Sequence, residues 1–121
     1  MKNLSILLST INDRIFNAAR LLELRFDNTE FVVVHQITDL SKSDTYSNFY
    51  NKYSNADIRF IPMYAKGTGK SRNTAMANAQ GELMYLCDDD LNLLPDFYST
   101  IINTSQEFPE IDIFSFKIRT T

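Results

Sequence analysis

Ser71-Arg72-Asn73-Thr74-Ala75-Met76-Ala77-Asn78-Ala79-Gln80-Gly81-Glu82-Leu83-Met84-Tyr85-Leu86-Cys87-Asp88-Asp89-Asp90 carries two kinds of segment in succession. Ser71 to Gln80, rich in Ala and Asn, reads as a helix, and Gly81 stands where a C-cap is expected. Leu83 to Cys87 is an apolar run of strand length that ends in three carboxylates. A helix followed at once by a buried strand is the repeating unit of an α/β protein.

The same alternation extends to both sides. Leu4 to Ser9 is a nearly continuous apolar run that suits a strand buried on both faces. Asn12 is the expected N-cap of a helix carrying Ile15, Ala18, Ala19, Leu22 and Leu24. Phe31 to Val34 reads as a second strand, Tyr46 to Tyr53 as a short helix, and Ile58 to Ile61 as a third strand closed by Pro62. A loop from Met63 to Gly69 precedes the Ala/Asn-rich helix. Pro95 opens a further helix, at a position where proline is tolerated, and Ile111 to Ile118 alternates as a fifth strand. The order β-α-β-α-β-α-β-α-β predicts a mostly parallel sheet with helices on both faces.

Composition narrows the function. Twelve Lys+Arg against fifteen Asp+Glu give a net charge of −3, which argues against a polyanion surface and hence against nucleic acid as the partner. With 44% hydrophobic and 22% charged residues the 121-residue chain has ordinary globular usage and room for one domain. A single cysteine excludes an internal disulfide and a cysteine-based zinc site; Cys87 reads as a small buried hydrophobe. Met1 to Leu8 is too short an apolar stretch for a signal peptide or a transmembrane segment, so a cytoplasmic protein is expected. The aromatics, Tyr46, Phe49, Tyr50 and Tyr53 among them, read as packing residues.

In parallel sheets ligands sit beyond the carboxyl ends of the strands. That places Thr10–Asn12, His35–Gln36, Met63–Arg72 and Asp88–Asp90 on the ligand side. Three adjacent carboxylates repel one another unless water or a cation neutralises them. The two-residue side-chain period directs Asp88 and Asp90 to one side and Asp89 to the other. A D-x-D pair of this kind offers two hard oxygen ligands to Mg2+ or Mn2+; the alternative is a solvated acidic turn. Lys66, Lys70 and Arg72 surround a predicted helix start, where cations oppose the helix dipole unless an anion binds there. The alternative is a solvated loop in which the glycines only permit a turn. A Walker A loop fails because Tyr64 stands where its first glycine is needed, and a dinucleotide fingerprint fails at Arg72.

The run from Gly69 to Leu83, then Tyr85-Leu86-Cys87-Asp88-Asp89-Asp90 and Pro95-Asp96, resembles the family 2 glycosyltransferases of the GT-A fold. Ser5-Ile6-Leu7-Leu8-Ser9-Thr10-Ile11-Asn12 is similar to that family's first strand and nucleotide loop, and the likeness runs from about residue 3 to 118. The resemblance implies a Rossmann-like three-layer α/β sandwich. It also implies a metal-dependent transferase of a sugar from a nucleoside diphosphate, with a UDP-sugar the leading donor and a saccharide or lipid-linked acceptor. It places Thr10 and Asn12 at the base and ribose, Arg72 at the diphosphate or base, Asp88 on ribose or metal, and Asp90 on the metal (Mn2+ or Mg2+). Lys66, Lys70 and Asp89 complete the expected donor site.

The family usually has an aspartate after the second strand that reads the base. Here His35-Gln36-Ile37-Thr38 stands instead, so a Gln36 amide or a His35 ring nitrogen would take that place. The chain is expected to form one GT-A-like domain over residues 1–121, stopping before the acceptor-binding half that carries the family's catalytic base. No catalytic residue is therefore assigned. Bacterial surface polysaccharide synthesis, in the cytoplasm or at the inner membrane surface, is the setting the resemblance implies. Two other readings stand beside it. A nucleotidyltransferase of related fold would need glycines that Ser9-Thr10-Ile11-Asn12-Asp13-Arg14 lacks. A non-catalytic α/β interaction module would explain the small size, and exposed apolar surface would then favour a homo-oligomer.

Overall fold

The computed structural model describes residues 2–112. Four strands, β1 (Leu4–Ile11), β2 (Thr29–Gln36), β3 (Ile58–Met63) and β4 (Leu83–Asp88), form a sheet of order β3-β2-β1-β4. All three pairings are parallel. All eight residues of β2 and six of the eight in β1 are buried, which explains the largely apolar runs at their centres. The expected fold class, a Rossmann-like α/β sandwich, is the one observed.

Between the strands lie α1 (Ala19–Leu22), α2 (Ser43–Asn51) and α3 (Thr68–Asn78), and α4 (Phe97–Glu107) follows β4. One face of the sheet packs Leu4, Ile6, Leu8, Phe31 and Val33 against Leu22, Tyr46, Phe49 and Ile101 from α1, α2 and α4. The other face sets Leu7, Val32 and Val34 under Ala75 of α3. Cys87 is buried, as expected for a small hydrophobe, and burial pushes its thiol up to about 12. Met84 and Leu86 of β4 stay about half exposed. Among the described residues no helix is long and apolar enough to cross a membrane.

Several local expectations are corrected. Asn12 does not cap a helix with its side chain. It adopts φ +46°, and a 3-10 helix over Asn12–Ala18 leads into the single turn of α1. β3 continues through Pro62, which lies opposite His35 at the edge of the described sheet, where a missing N–H is tolerated. The helix after Met63 ends at Asn78, so Gly81 is not its C-cap. Gly81 instead permits a close approach, because a Cβ there would lie 2.7 Å from the Leu4 carbonyl carbon and the Ser5 nitrogen. Pro95 precedes α4 by two residues rather than beginning it. From Ile113 onward, the strand expected over Ile111–Ile118 lies outside the described residues.

At the amino ends of the strands sits a buried charge. Glu30 accepts from Ser5 Oγ at 2.6 Å, from the Gln80 amide at 2.6 Å and from Arg59 at 2.9 Å. Arg59 also donates to the Asn78 carbonyl, so this carboxylate ties the end of α3 to β1, β2 and β3. Removing Glu30 leaves the Ser5 hydroxyl, the Gln80 amide and the partly exposed Arg59 without their shared acceptor. Glu30→Ala should therefore lower unfolding free energy by about 2–4 kcal/mol in urea titrations. Gly81→Ala should cost about 1–3 kcal/mol in the same assay, because the obstructing atoms are backbone.

Candidate active site

At the carboxyl ends of β1, β2 and β4 a cleft of about 250 Å³ opens between the 3-10 helix and α3. Ser9, Thr10, Ile11, Arg14, Gln36, Arg72 and Asp88–Asp90 line it. Parallel β1–β4 pairing sets Ser9 beside Asp88, which is why the loop after β1 and the acidic run share one wall.

The three aspartates have different surroundings. Asp88 and Asp90 are exposed while Asp89 is buried, the alternation that the side-chain period predicts. Asp89 Oδ2 accepts from Thr10 Oγ1 at 2.7 Å and from Arg14 Nε at 3.1 Å, and its Oδ1 accepts from Arg14 Nη2 at 2.6 Å. Burial alone would raise its pKa, but the bonds from Arg14 and Thr10 outweigh burial and hold it below the usual carboxylate range. Asp88 faces Arg72 at 3.6 Å, with both side chains about half exposed or more. Arg20 donates to the backbone carbonyl of Asp90 at 2.8 Å, leaving that residue's carboxylate on the cleft.

Gln36 joins the other side of the cleft to the sheet. Its Oε1 accepts from the Gly67 amide at 2.9 Å and its Nε2 donates to Ser9 Oγ at 3.4 Å. Ser9 and Ser71 hydroxyls lie 2.5 Å apart. Gly67 takes φ +154°, a conformation open to glycine, to turn the chain into α3. These contacts fix the first turn of α3 and with it Arg72.

Of the residues expected from sequence, the fold gathers Thr10, Gln36, Arg72, Asp88, Asp89 and Asp90 in the cleft. It does not bring Asn12, His35, Lys66 or Lys70 to the cleft wall. Asn12 instead ties the loop after β2, its Nδ2 donating to Thr38 Oγ1 at 2.7 Å and its Oδ1 accepting from the Thr38 amide at 2.9 Å. Lys66 and Lys70 point to solvent around the start of α3. His35 is fully buried beneath the loop. Its Nε2 contacts the Asn12 carbonyl at 2.9 Å, and that oxygen can only accept, so Nε2 carries the proton. Nδ1 then accepts from Tyr50 Oη at 2.5 Å. Burial lowers the His35 pKa, consistent with a neutral ring, and both nitrogens are spent on the protein. Thus His35 supports the left-handed turn at Asn12, and of the two residues only Gln36 lines the cleft.

Sequence reading missed Ser9 and Arg14. For Arg14 a signal existed. A buried member of an aspartate triplet needs a counter-charge, and a helical turn beginning at Asn12 brings the next cation back toward the strand end.

Together, the parallel sheet and a polar cleft at its carboxyl edge define an α/β protein of the GT-A type. The chain belongs to the family described as Glycosyl transferase family 2, whose profile matches residues 14–119. Two solved structures of TarS from S. aureus are similar. One, covering TarS residues 1–349, aligns with TM-score 0.70 at 24% identity over 90% of this chain and 33% of that one. A longer TarS structure gives TM-score 0.66 at 24% identity, over 90% of this chain and 20% of that one. The chain thus spans a third or less of each of these two structures. Among curated proteins, none matches the sequence.

Both buried carboxylates make stability acid-sensitive. Glu30 is also held below its ordinary value, since the bonds from Ser5, Gln80 and Arg59 outweigh burial. A carboxylate with a lowered folded pKa contributes stability that is complete above its unfolded value and lost as pH falls through the folded one. The ordinary values are 3.8 for Asp89 and 4.5 for Glu30. Urea midpoints should therefore hold level down to about pH 5 and then fall steeply toward pH 3. Asp89→Asn should start from a lower midpoint and show a shallower fall.

Proposed function

We propose that this chain is the donor-binding part of a glycosyltransferase that takes a nucleoside-diphosphate sugar, with UDP as the leading nucleotide. The observation that carries this reading is the cleft in which two exposed carboxylates, Asp88 and Asp90, stand across from Arg72 at the carboxyl edge of a GT-A-type sheet. Membership of family 2 supports the sugar-transfer class.

Each cleft residue has a task in this reading. Gln36 presents the amide nearest the nucleoside, in place of the family's aspartate. Arg72 offers a planar cation to phosphate oxygens, where bidentate hydrogen bonds are strongest. The buried wall of β1 limits water on one side of the leaving group.

The residues present fit a divalent ion such as Mn2+ or Mg2+. Asp88 and Asp90 are hard oxygen donors, solvent-accessible and on one wall. Among the described residues no group of three or more His, Cys, Asp or Glu side chains forms a cage. A two-carboxylate site leaves coordination positions for water and substrate phosphate, the usual arrangement for Mg2+ with nucleotides. When bound, the ion neutralises charge that develops on the departing diphosphate. An acceptor hydroxyl, on a saccharide or lipid-linked saccharide, would attack the anomeric carbon with a base from outside these residues. Surface polysaccharide synthesis is the setting that this donor and acceptor class fits.

Calorimetric titration tests the reading. The chain should bind UDP or GDP in the presence of Mn2+, more weakly without it, and Asp90→Ala should abolish the metal-dependent part. A folded chain that binds neither nucleotide with metal would refute the donor-site assignment.

A further inference from the structure

Arg14 is the best-anchored cation in the cleft and was absent from the sequence-predicted site. Its fork to Asp89 uses Nε and Nη2, two of the five N–H donors of a guanidinium. Because the group is planar, a carboxylate held along the Nε–Nη2 edge leaves the Nη1–Nη2 edge for a second oxyanion. The side chain is 56% exposed even though its partner carboxylate is 4% exposed. A cation needed only to neutralise Asp89 could be buried with it; this one reaches the surface of the cleft.

Charge balance gives the same direction. Three aspartates and two arginines line the cleft, a net of one negative charge. With a divalent cation on Asp88 and Asp90 the balance becomes one positive charge; with Arg14 removed as well it would be zero. Arg14 thus contributes as much as Arg72 to the attraction of the loaded cleft for an anion.

We propose that Arg14 binds the diphosphate of the donor nucleotide and that Asp89 is its positioning residue, so the middle aspartate acts through an arginine rather than on the metal or the sugar. Thr10, the third member of the cluster, fixes the rotamer of Asp89 from β1. This assignment rests on the donor-site reading above. It gives Asp89, expected at the nucleotide itself, a different task from its two neighbours.

The test compares the whole chain with the double variant Arg14→Gln/Asp89→Asn, which removes both charges and leaves no unpaired buried ion. UDP affinity is measured by calorimetry with Mn2+, and uridine affinity by saturation-transfer NMR. The expected result is a Kd for UDP raised at least about fivefold, the scale of one charge-assisted hydrogen bond, with uridine binding unchanged. A smaller change for UDP, or an equal weakening of uridine, overturns the assignment and leaves the donor site standing. A wild-type chain that binds neither UDP nor GDP overturns the donor site itself. Should the double variant fail to fold, Arg14→Lys, which keeps the counter-charge but loses the second guanidinium edge, is read by the same criteria.

Discussion

The buried carboxylate of Asp89 is the constraint around which this end of the molecule is arranged. An ionised group removed from water needs a counter-charge and hydrogen bonds, and the chain supplies them from β1 through Thr10 and from the following 3-10 helix through Arg14. Those three bonds join segments nearly eighty positions apart in sequence and set the loop after β1 beside the turn after β4. The cleft exists because that junction is closed. Asp88 and Asp90, its neighbours on either side, are thereby turned outward as a pair.

Polar contacts then extend from the junction across the sheet. His35 donates to the Asn12 carbonyl and holds the left-handed turn, Gln36 fastens Gly67, and Ser9 meets Ser71. The middle of the sheet is apolar and tolerates volume-conserving change, as cores do. The two ends are not, since one is tied by Glu30 and the other by Asp89. A molecule stapled at both ends by single buried carboxylates holds its cleft in shape.

Much of the fold was legible because burial leaves a simple imprint. β1 and β2 are covered on both faces, and the nearly continuous apolar runs at their centres say so; the Ala/Asn-rich helix and the acidic strand end were equally plain. What could not be read depended on contacts distant in sequence. Gly81 looks like a C-cap until the backbone of Leu4 and Ser5 is seen against it. Asn12 has the composition of a helix cap, yet its conformation is set by His35 from the neighbouring strand. Among the site residues, Asp88, Asp90, Arg72 and Gln36 followed from position at strand and helix ends. Lys66 and Lys70 share that position but face away. Local charge counts cannot distinguish a cation on the cleft wall from one a helical turn away from it.

The central claim is that Asp88, Asp90 and Arg72 surround one metal–diphosphate site. Paramagnetic broadening in the two-dimensional amide spectrum of the 121-residue chain tests it most directly, with Mn2+ added in the presence and absence of UDP. The account predicts signal loss centred on Asp88–Asp90 and spreading to Ser9–Ile11 and Arg72, sharpened by UDP. Broadening centred elsewhere, or a pattern indifferent to UDP, would contradict it.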